Sequence, residues 1–340
     1  KRQNNDSSMG SPFRTLKAGE IFTLTATYTV VEADVTAGGI LNQVVATYTS
    51  SVFTEYHITV DGYKDQRQQD VISCGAIVVD DIRRLVSKQP LQRYEKGAVA
   101  LITFNRPEVR NAFNTRMTED ILAALIQAKD DSDIRAIVLT GEGLSFSAGA
   151  DLSARDNNWK DTEEALVKGY LPSLKEIMDM PKPVISAVNG AAAGIGSAYA
   201  MACDLTVMSE NAYILQAFSN IGLIPDGGAN WFLTNTVGYK LAYQIAIEGE
   251  RIDAKRCLEL GLVNKVVPSD SLIEEALSWA EKLSIRSSQS LKLTKQIMRK
   301  ALDSSYDDIY DLEAKTQNTL IGSEDNIEGV TAFMLSLIHI

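Results

Sequence analysis

A glycine- and alanine-rich stretch, residues 183–205, is the part of the sequence whose residue types point most directly to chemistry. It begins with a β-branched, uncharged run, Val184–Val188, turns at Asn189 and Gly190, and continues into an apolar helix that ends near Asp204. A strand that leads through such a turn into a helix leaves unpaired backbone N–H groups at the positive end of the helix dipole. The small side chains also let a carbonyl group of another molecule approach the backbone.

This small-residue turn could bind a phosphate or form an oxyanion hole. The lysine of a P-loop and the G-x-G-x-x-G spacing are both missing, and we therefore favour the oxyanion hole. Tight packing of a helix on a sheet requires the same small residues, so the stretch taken alone leaves that alternative open.

Histidine is scarce in this chain, with His57 and His339 as its two copies. A Ser-His-Asp or Cys-His mechanism in the central part of the chain therefore lacks a base. Ser197 lies in the small-residue turn, but the G-x-S-x-G spacing of a nucleophile elbow is absent. Proton chemistry must therefore use carboxylates, tyrosine, lysine or the backbone.

The composition narrows the class of protein. A net charge of −11 argues against a nucleic-acid or anionic-membrane surface, and no apolar run reaches the roughly 18 residues of a membrane span. The three cysteines, Cys74, Cys203 and Cys257, fit neither a disulfide framework nor a metal site, and we expect a cytoplasmic location. An apolar content of 45% over 340 residues allows a sizeable core.

Residues 1–90 form an atypical N-terminal segment. Residues 1–12 are polar and are expected to be disordered, whereas Thr, Val and Tyr alternate over residues 21–59 and predict antiparallel strands. Residues 18–49 resemble one repeat unit of bacterial surface-protein β-sandwich modules, which is too short for a core of its own. We assign this segment no function and place the domain boundary after residue 90.

The remainder, residues 91–340, has a β/α pattern. Strands are predicted at Val99–Phe104 and residues 136–140, with an amphipathic helix between them at residues 115–128. From about residue 240 the chain is mostly helical. Short parallel strands linked by helices and followed by a helical region predict an α/β fold.

Three further motifs accompany the small-residue turn. They are FNRPEVRNAFN at residues 104–114, FSAGADL at residues 146–152 and AFSNIGLIPDGGANWFL at residues 217–233. Together with residues 189–204, and in this order, they resemble the crotonase superfamily, the enoyl-CoA hydratase/isomerase family. The resemblance extends over residues 94–333.

The resemblance implies a crotonase-like spiral of ββα units with a helical C-terminal region, assembled as a homotrimer or hexamer. It implies an acyl-CoA thioester as the substrate, so coenzyme A enters with the substrate and no separate cofactor is expected. The thioester carbonyl would lie between two backbone N–H groups, which map to Ala150 and Ile195. These donors would stabilise the enolate formed when the neighbouring carbon loses a proton.

The same resemblance assigns coenzyme A binding to the FSAGAD loop, with Ala148, Gly149 and Asp151. The carbonyl of Ala148 would bind the adenine, and we expect Asp151 to fix the loop by hydrogen bonds. Arg110 matches a position near the coenzyme A phosphates, although a solvated surface arginine explains it equally well.

The acid–base residues decide the reaction. Hydratases of this family use two glutamates, and the matching positions here are Ala198 and Phe218. Adding water across a double bond requires one group that activates the water and one that handles the α-proton. The sequence therefore predicts poor hydratase activity.

Asp226, in IGLIPDGG, is the remaining acid. The segment resembles that of enoyl-CoA isomerases and ring-type epoxyphenylacetyl-CoA isomerases, in which an aspartate here moves the proton. Apolar neighbours should raise the pKa of Asp226 while the helix dipole opposes that change; they are Phe218, Ile221, Leu223 and Trp231. The alternative is a helix N-cap, a common role for Asp before Gly.

We therefore expect an acyl-CoA isomerase that moves a double bond. The rivals are a hydratase with another base, a noncatalytic acyl-CoA-binding protein and a surface-adhesion module in the N-terminal segment. Family members end in a Phe, a basic pair and a Pro that reach a neighbouring subunit's coenzyme A, whereas Phe333 is followed here by MLSLIHI without Lys or Arg. The sequence therefore gives no support for that intersubunit contact.

Overall fold

The computed structural model describes residues 77–81, 98–153 and 159–335. The chain divides into two units, residues 1–73 and 74–340, and every described residue belongs to the second. The strands and the disorder predicted within residues 1–59 lie outside the described residues, so they stay predictions, as does the boundary after residue 90.

Ten strands among the described residues form two sheets. The strands are β1 (Ile77–Asp81), β2 (Val99–Phe104), β3 (Ala136–Gly141), β4 (Ser145–Ser147), β5 (Val184–Val188), β6 (Ala191–Ala193), β7 (Leu205–Ser209), β8 (Tyr213–Leu215), β9 (Arg251–Asp253) and β10 (Lys265–Val267). The larger sheet has the order β1-β2-β3-β5-β7-β10. Its strands are parallel except β1, which pairs antiparallel with β2. All residues of β3 and β5 are buried, as expected of strands covered on both faces.

The smaller sheet has the order β4-β6-β8-β9, with β8 and β9 antiparallel. The sequence did not predict β4, β6 or β9, each of which has three residues. The turn after β5 therefore does not lead straight into a helix, because the alanines 191–193 first pair with β4 and β8. This sheet brings the FSAGAD motif and the small-residue turn side by side.

Helices surround these sheets. They are α1 (Thr115–Asp130), α2 (Thr162–Glu164), α3 (Leu171–Asp179), α4 (Ile195–Ala202), α5 (Ala229–Val237), α6 (Tyr239–Glu248), α7 (Ala254–Glu259), α8 (Leu272–Ser284), α9 (Ser288–Ala301), α10 (Tyr306–Leu320) and α11 (Glu324–Met334). A π-helical turn, Ala165–Tyr170, joins α2 to α3. The predicted stripe of α1 is buried, and Asn114 caps this helix by accepting a hydrogen bond from the amide of Met117.

A cluster of four fully buried aromatic rings ties the motifs together. The ring of Phe104 lies 5.4 Å from that of Phe113 and 5.1 Å from that of Phe146, measured between centroids. The Phe113 ring in turn stacks on Tyr199 of α4 at 4.6 Å. Aromatic contacts of this kind each add about 0.5–1.5 kcal/mol beyond the area they bury. The core therefore fixes the relative positions of the segments that carry the predicted chemistry.

The C-terminal region is helical, as predicted, and α11 adds a helix that the sequence analysis did not identify. Helix α9 is attached to the sheet through Asp204, whose carboxylate contacts Lys295 at 2.7 Å and Arg299 at 3.2 Å. Asp204 thus pairs with residues far along the chain. None of the helices among the described residues is long and apolar enough to cross a membrane.

Candidate active site

A cavity of about 590 Å³ is lined by the segments that follow β4, β6 and β8. The start of α1 and the region around α2 complete its wall. Its lining residues are Phe113, Asn114, Thr115, Thr118, Ala148, Gly149, Ala150, Asp151, Leu152, Trp159, Thr162, Ala165, Leu166, Gly169, Tyr170, Ala193, Gly194, Ile195, Ala217, Phe218, Asn220, Ile221, Leu223 and Asp226. The cavity has the size of a small-molecule site and is mostly apolar, with few polar groups.

The FSAGAD loop bends at Gly149, whose φ of +98° favours glycine. The Phe113 amide donates a hydrogen bond of 2.7 Å to the Gly149 carbonyl, and the Asp151 amide donates one of 2.9 Å to the Phe113 carbonyl. Because the C=O and N–H of a trans peptide point in opposite directions, the Ala150 N–H points away from Phe113. Within the described part of the chain this N–H has no acceptor.

The second turn places Gly194 immediately before α4, with φ of +52° and ψ of −130°. The Gly194 amide donates to the Leu215 carbonyl at 2.9 Å, and the Gly194 carbonyl accepts from the Ser197 amide at 3.0 Å. Ile195 is the first residue of α4, and no described residue accepts a hydrogen bond from its N–H.

The two turns lie against each other. A Cβ atom built on Gly149 would lie 2.9 Å from the Ala193 carbonyl oxygen and 3.7 Å from the Gly194 Cα. The unpaired N–H groups of Ala150 and Ile195 therefore belong to neighbouring residues that line one cavity. Two such donors at one site can stabilise a negatively charged oxygen.

Asp226 lines the same cavity as these two amides. Its Oδ1 atom is buried, and no described residue donates a hydrogen bond to it. Desolvation by burial raises the pKa of Asp226 to about 6. The N-cap alternative is wrong, since Gly228 occupies the cap of α5 and Asp226 contributes its carbonyl to the Ala229 amide rather than its side chain.

The predicted apolar neighbours of Asp226 divide into two groups. Phe218 is buried, and Ile221 and Leu223 also line the cavity. Trp231 does not line it; its ring packs edge-on against Phe232, on the side of α5 that faces other cavities.

Asp151 forms a buried ion pair that the sequence analysis missed. Its Oδ2 atom lies 3.0 Å from an Nη atom of Arg106, and Arg106 also donates a hydrogen bond of 2.6 Å to the Ala112 carbonyl. Burial acts to raise the pKa of Asp151, but hydrogen bonds from Ser153 and Arg106 outweigh it and lower the pKa. Asp151 is thus ionised and anchors the loop, in the position expected of a loop-fixing residue. The one available signal was the arginine in the NRP segment of the first motif.

The other residues predicted for coenzyme A lie at the rim. Arg110 is exposed, and its carbonyl accepts a hydrogen bond of 2.9 Å from the Ala148 amide. Ala148 is also exposed and lines the cavity, whereas the Arg110 side chain does not contribute to the wall. The fold brings the two residues together, and their role in binding coenzyme A stays a prediction.

Across the described residues, no group of three or more His, Cys, Asp or Glu side chains could hold a metal ion. Cys203 and Cys257 are buried, and burial raises the pKa of each thiol to about 12, so neither thiol is a nucleophile at neutral pH. Cys74, His57 and His339 lie outside the described residues.

Comparison with known proteins agrees with this geometry. The family model for enoyl-CoA hydratase/isomerase matches residues 94–336. The chain belongs to the enoyl-CoA hydratase/isomerase family, within the crotonase superfamily. It is accordingly an enzyme of this family, and the alternative of a noncatalytic binding protein is set aside.

Individual members of the family show how far the similarity extends. The 1,2-epoxyphenylacetyl-CoA isomerase of Escherichia coli K12 is 36% identical over 248 residues, covering 72% of this chain and 94% of that protein. A probable enoyl-CoA hydratase of Rhodobacter capsulatus is 37% identical over 243 residues, covering 71% of this chain and 94% of that protein. The crystal structure of an enoyl-CoA hydratase from Polaromonas sp. JS666 superposes with a TM-score of 0.69 at 32% identity, covering 77% of this chain and 98% of that one. The crotonase-like fold predicted from the motifs is confirmed.

The enoyl-CoA hydratase/isomerase family includes hydratases and isomerases, so the acid–base residues distinguish the two reactions. Ala198, which the family resemblance matches to one of the hydratase glutamates, is fully buried. A Cβ atom added to Gly227 would lie 2.9 Å from the Ala198 Cβ and would overlap Cδ1 of Ile195. The Asp226–Gly227 backbone therefore packs directly beside Ile195 and Ala198.

Proposed function

We propose that this enzyme is an acyl-CoA isomerase that moves a double bond through an enolate. The observation that carries the proposal is the buried, unpartnered Oδ1 atom of Asp226 in the cavity of the Ala150 and Ile195 amides. An ionisable group in that environment, with a pKa near the operating pH, is suited to accept and return a proton.

In the proposed reaction the thioester carbonyl of a 3-enoyl-CoA accepts hydrogen bonds from Ala150 and Ile195. The Asp226 carboxylate takes a proton from C2, and the C–H electron pair becomes a dienolate whose oxygen is held by the two amides. The dienolate then takes the same proton at C4, the C3=C4 pair forms the new C–H bond, and a C2=C3 double bond results. Each oxyanion donor of this kind is typically worth about 3–4 kcal/mol in the transition state.

The acid–base groups favour isomerisation over hydration. The described cavity wall carries two carboxylates, Asp151 and Asp226, and Asp151 is held by Arg106. A 1,3-proton shift uses one group that works in both directions, whereas hydration requires a second group to activate water.

The names of the relatives include both an isomerase and a hydratase of coenzyme A thioesters, and we take this substrate class for the present enzyme. The single unpaired carboxylate supports an isomerase, acting on an open-chain enoyl group or on a ring-type substrate. The Ala148 carbonyl, the Gly149–Asp151 loop and Arg110 are the groups we assign to coenzyme A, which enters as part of the substrate.

Two assays on the unmodified enzyme test this proposal. Conversion of a 3-enoyl-CoA to the conjugated 2-enoyl-CoA raises the ultraviolet absorbance, whereas hydration of crotonyl-CoA lowers it. We expect isomerisation to be about 100-fold faster, because a missing acid–base group costs roughly 10²–10⁴ in rate. Hydration of crotonyl-CoA at a rate equal to isomerisation would favour the hydratase and overturn the proposal.

A further inference from the structure

A buried polar chain lies directly behind the Ile195 amide. The Ser197 hydroxyl donates a hydrogen bond of 2.6 Å to the Gly194 carbonyl, and the Gln216 Nε2 donates one of 2.8 Å to the Ser197 oxygen. Both side chains are fully buried, and neither lines the cavity. They are therefore outside the reach of the substrate.

The single hydroxyl proton of Ser197 determines which groups donate and which accept in these hydrogen bonds. A serine hydroxyl has one proton, and here it goes to the Gly194 carbonyl, so Ser197 must accept from Gln216. The Gln216 side chain is thereby oriented with its nitrogen toward Ser197. Its Oε1 atom is buried and has no donor within the described part of the chain. An unsatisfied buried oxygen is unfavourable, and packing alone would be served better by an apolar side chain.

The hydrogen bonds from Gln216 and Ser197 end at the Gly194–Ile195 peptide plane, and the backbone conformation of Gly194 alone does not fix the orientation of that plane. Gly194, with φ of +52° and ψ of −130°, occupies a region that glycine samples freely, so hydrogen bonds must fix the orientation of its carbonyl. In a trans peptide the carbonyl direction determines the N–H direction, and the N–H on this plane belongs to Ile195.

The two proposed oxyanion donors are thus held by different means. At the Gly149–Ala150 peptide, the backbone amide of Phe113 holds the carbonyl. At the Gly194–Ile195 peptide, the Ser197 amide contributes one bond of 3.0 Å, and the Ser197 hydroxyl contributes the shorter second one. Of these two carbonyls, within the described part of the chain, the Gly194 carbonyl is therefore the one that accepts a hydrogen bond from a side chain that a substitution can remove.

We infer that Ser197 and Gln216 are positioning residues that aim the Ile195 N–H at the thioester oxygen. This inference rests on the proposed function, since it presumes that the Ile195 amide is an oxyanion donor. Ser197, which the sequence excluded as a nucleophile, then acts on the reaction through the backbone.

Three variants test the inference. Ser197→Ala removes the hydroxyl bond, and Gln216→Leu removes the donor together with the unpartnered oxygen. Ser186→Ala is the matched control, because the fully buried Ser186 hydroxyl bonds the Ala200 carbonyl near the other end of the same helix at 3.2 Å. Thermal unfolding, kcat and KM are measured for each.

We expect Ser197→Ala to lower kcat about tenfold and to change KM less than about twofold. This loss in kcat is smaller than the 10²–10³-fold loss that follows removal of an oxyanion donor. Gln216→Leu should lower kcat about threefold while its Tm stays level or rises, since an unsatisfied group is removed. Ser186→Ala should lower Tm but keep kcat. Equal kcat for Ser197→Ala and the unmodified enzyme, or an equal loss in Ser186→Ala, would overturn the inference.

A spectroscopic readout separates this inference from the proposed function. In the unmodified enzyme, a bound saturated acyl-CoA labelled with ¹³C at the thioester carbonyl should show a C=O stretch lowered from its value in solution. A stretch that equals the solution value would reject the oxyanion hole, and the inference with it. A lowered stretch that is identical in Ser197→Ala would keep the oxyanion hole and reject the positioning role, whereas a stretch returned part-way to the solution value is the expected result.

Discussion

Asp226 illustrates how one residue is set apart by its surroundings. Its Oδ1 atom is buried and lacks a donor among the described residues, and this desolvation raises the pKa to about 6. Helix α5 begins three residues later, at Ala229, and its positive end was expected to oppose the shift. Desolvation by burial is the cause of the upward shift.

The raised pKa predicts the pH dependence of the reaction. Asp226 must be ionised to accept the first proton, so kcat/KM for a 3-enoyl-CoA should fall tenfold per pH unit below about pH 6. A pH–rate profile measures this directly. A midpoint near 4, the ordinary range of an exposed aspartate, would show that burial does not govern the active carboxylate.

The same shift predicts a pH-dependent change in stability. The pKa of Asp226 in the folded protein, about 6, lies above the ordinary value of 3.8. At neutral pH the ionised carboxylate therefore lowers the free energy of unfolding, whereas at low pH the protonated carboxyl group does not. Asp226→Asn should therefore gain stability relative to the unmodified protein as the pH rises from 4 to 7, by about 1 kcal/mol after allowance for solvent screening. Urea unfolding at the two pH values measures the difference, and a difference that does not vary with pH would contradict the account.

At the residue scale, the motifs singled out Asp226, Ala150 and Ile195, which line one cavity, but not the residues that hold them in place. Asp226, Ala150 and Ile195 lie in short motifs. Arg106 and Gln216 act across the fold, through a buried ion pair and a buried hydrogen bond, and neither has a local pattern that marks its partner.

At the scale of elements, the long strands and helices were predictable and the short ones were not. Strands such as Val99–Phe104 and Val184–Val188 have β-branched runs, and their bounds agree with the prediction. The three-residue strands β4 and β6 consist of Ser, Phe and Ala, and they form through pairing, β4 with β6 and β6 also with β8. The sheet that positions the site was therefore invisible in the local sequence.

The turn between Asp226 and α5 has little room for a side chain at Gly227. Gly227 has φ of +61°, and an added Cβ would overlap Cδ1 of Ile195 and lie 2.9 Å from the Ala198 Cβ. Gly227→Ala should destabilise the fold by about 2–4 kcal/mol, which combines backbone strain with overpacking, and should displace the Ile195 amide.

Gly222→Ala is the control for that prediction. Gly222 has a similar φ of +74°, but no atom lies within 4 Å of its added Cβ. Gly222→Ala should lower the free energy of unfolding by about 1–2 kcal/mol through backbone strain alone and leave kcat nearly unchanged. Unfolding and activity measurements on both variants separate strain from contact, and equal effects of the two would argue against close packing of Gly227 on Ile195.

At the scale of the whole molecule, the α/β core and the helical C-terminal region agree with the prediction from residues 91–340. The helices α9, α10 and α11 contain no buried residue. They leave large apolar side chains exposed, including Tyr306 at 79% and Phe333 at 58%. Such a concentration of apolar surface is typical of an interaction face.

This surface supports the homotrimer or hexamer that the family resemblance implies. Light scattering after gel filtration should give a mass of three or six times the 37.1 kDa of the chain. Phe333→Asp should shift the distribution toward smaller species, whereas Lys315→Asp, an exposed change on α10 without loss of apolar surface, should not. A monomer at tens of micromolar would contradict this prediction.

The turnover of Asp226→Asn with a saturating 3-enoyl-CoA tests the central claim most directly. Asparagine keeps the size of the side chain but cannot accept the C2 proton, so kcat should fall by about 10²–10⁴, the usual contribution of a general acid–base group. The C=O stretch of a bound, ¹³C-labelled saturated acyl-CoA should remain lowered, because the Ala150 and Ile195 amides are retained. Undiminished turnover by this variant would contradict the assignment of Asp226 as the proton carrier.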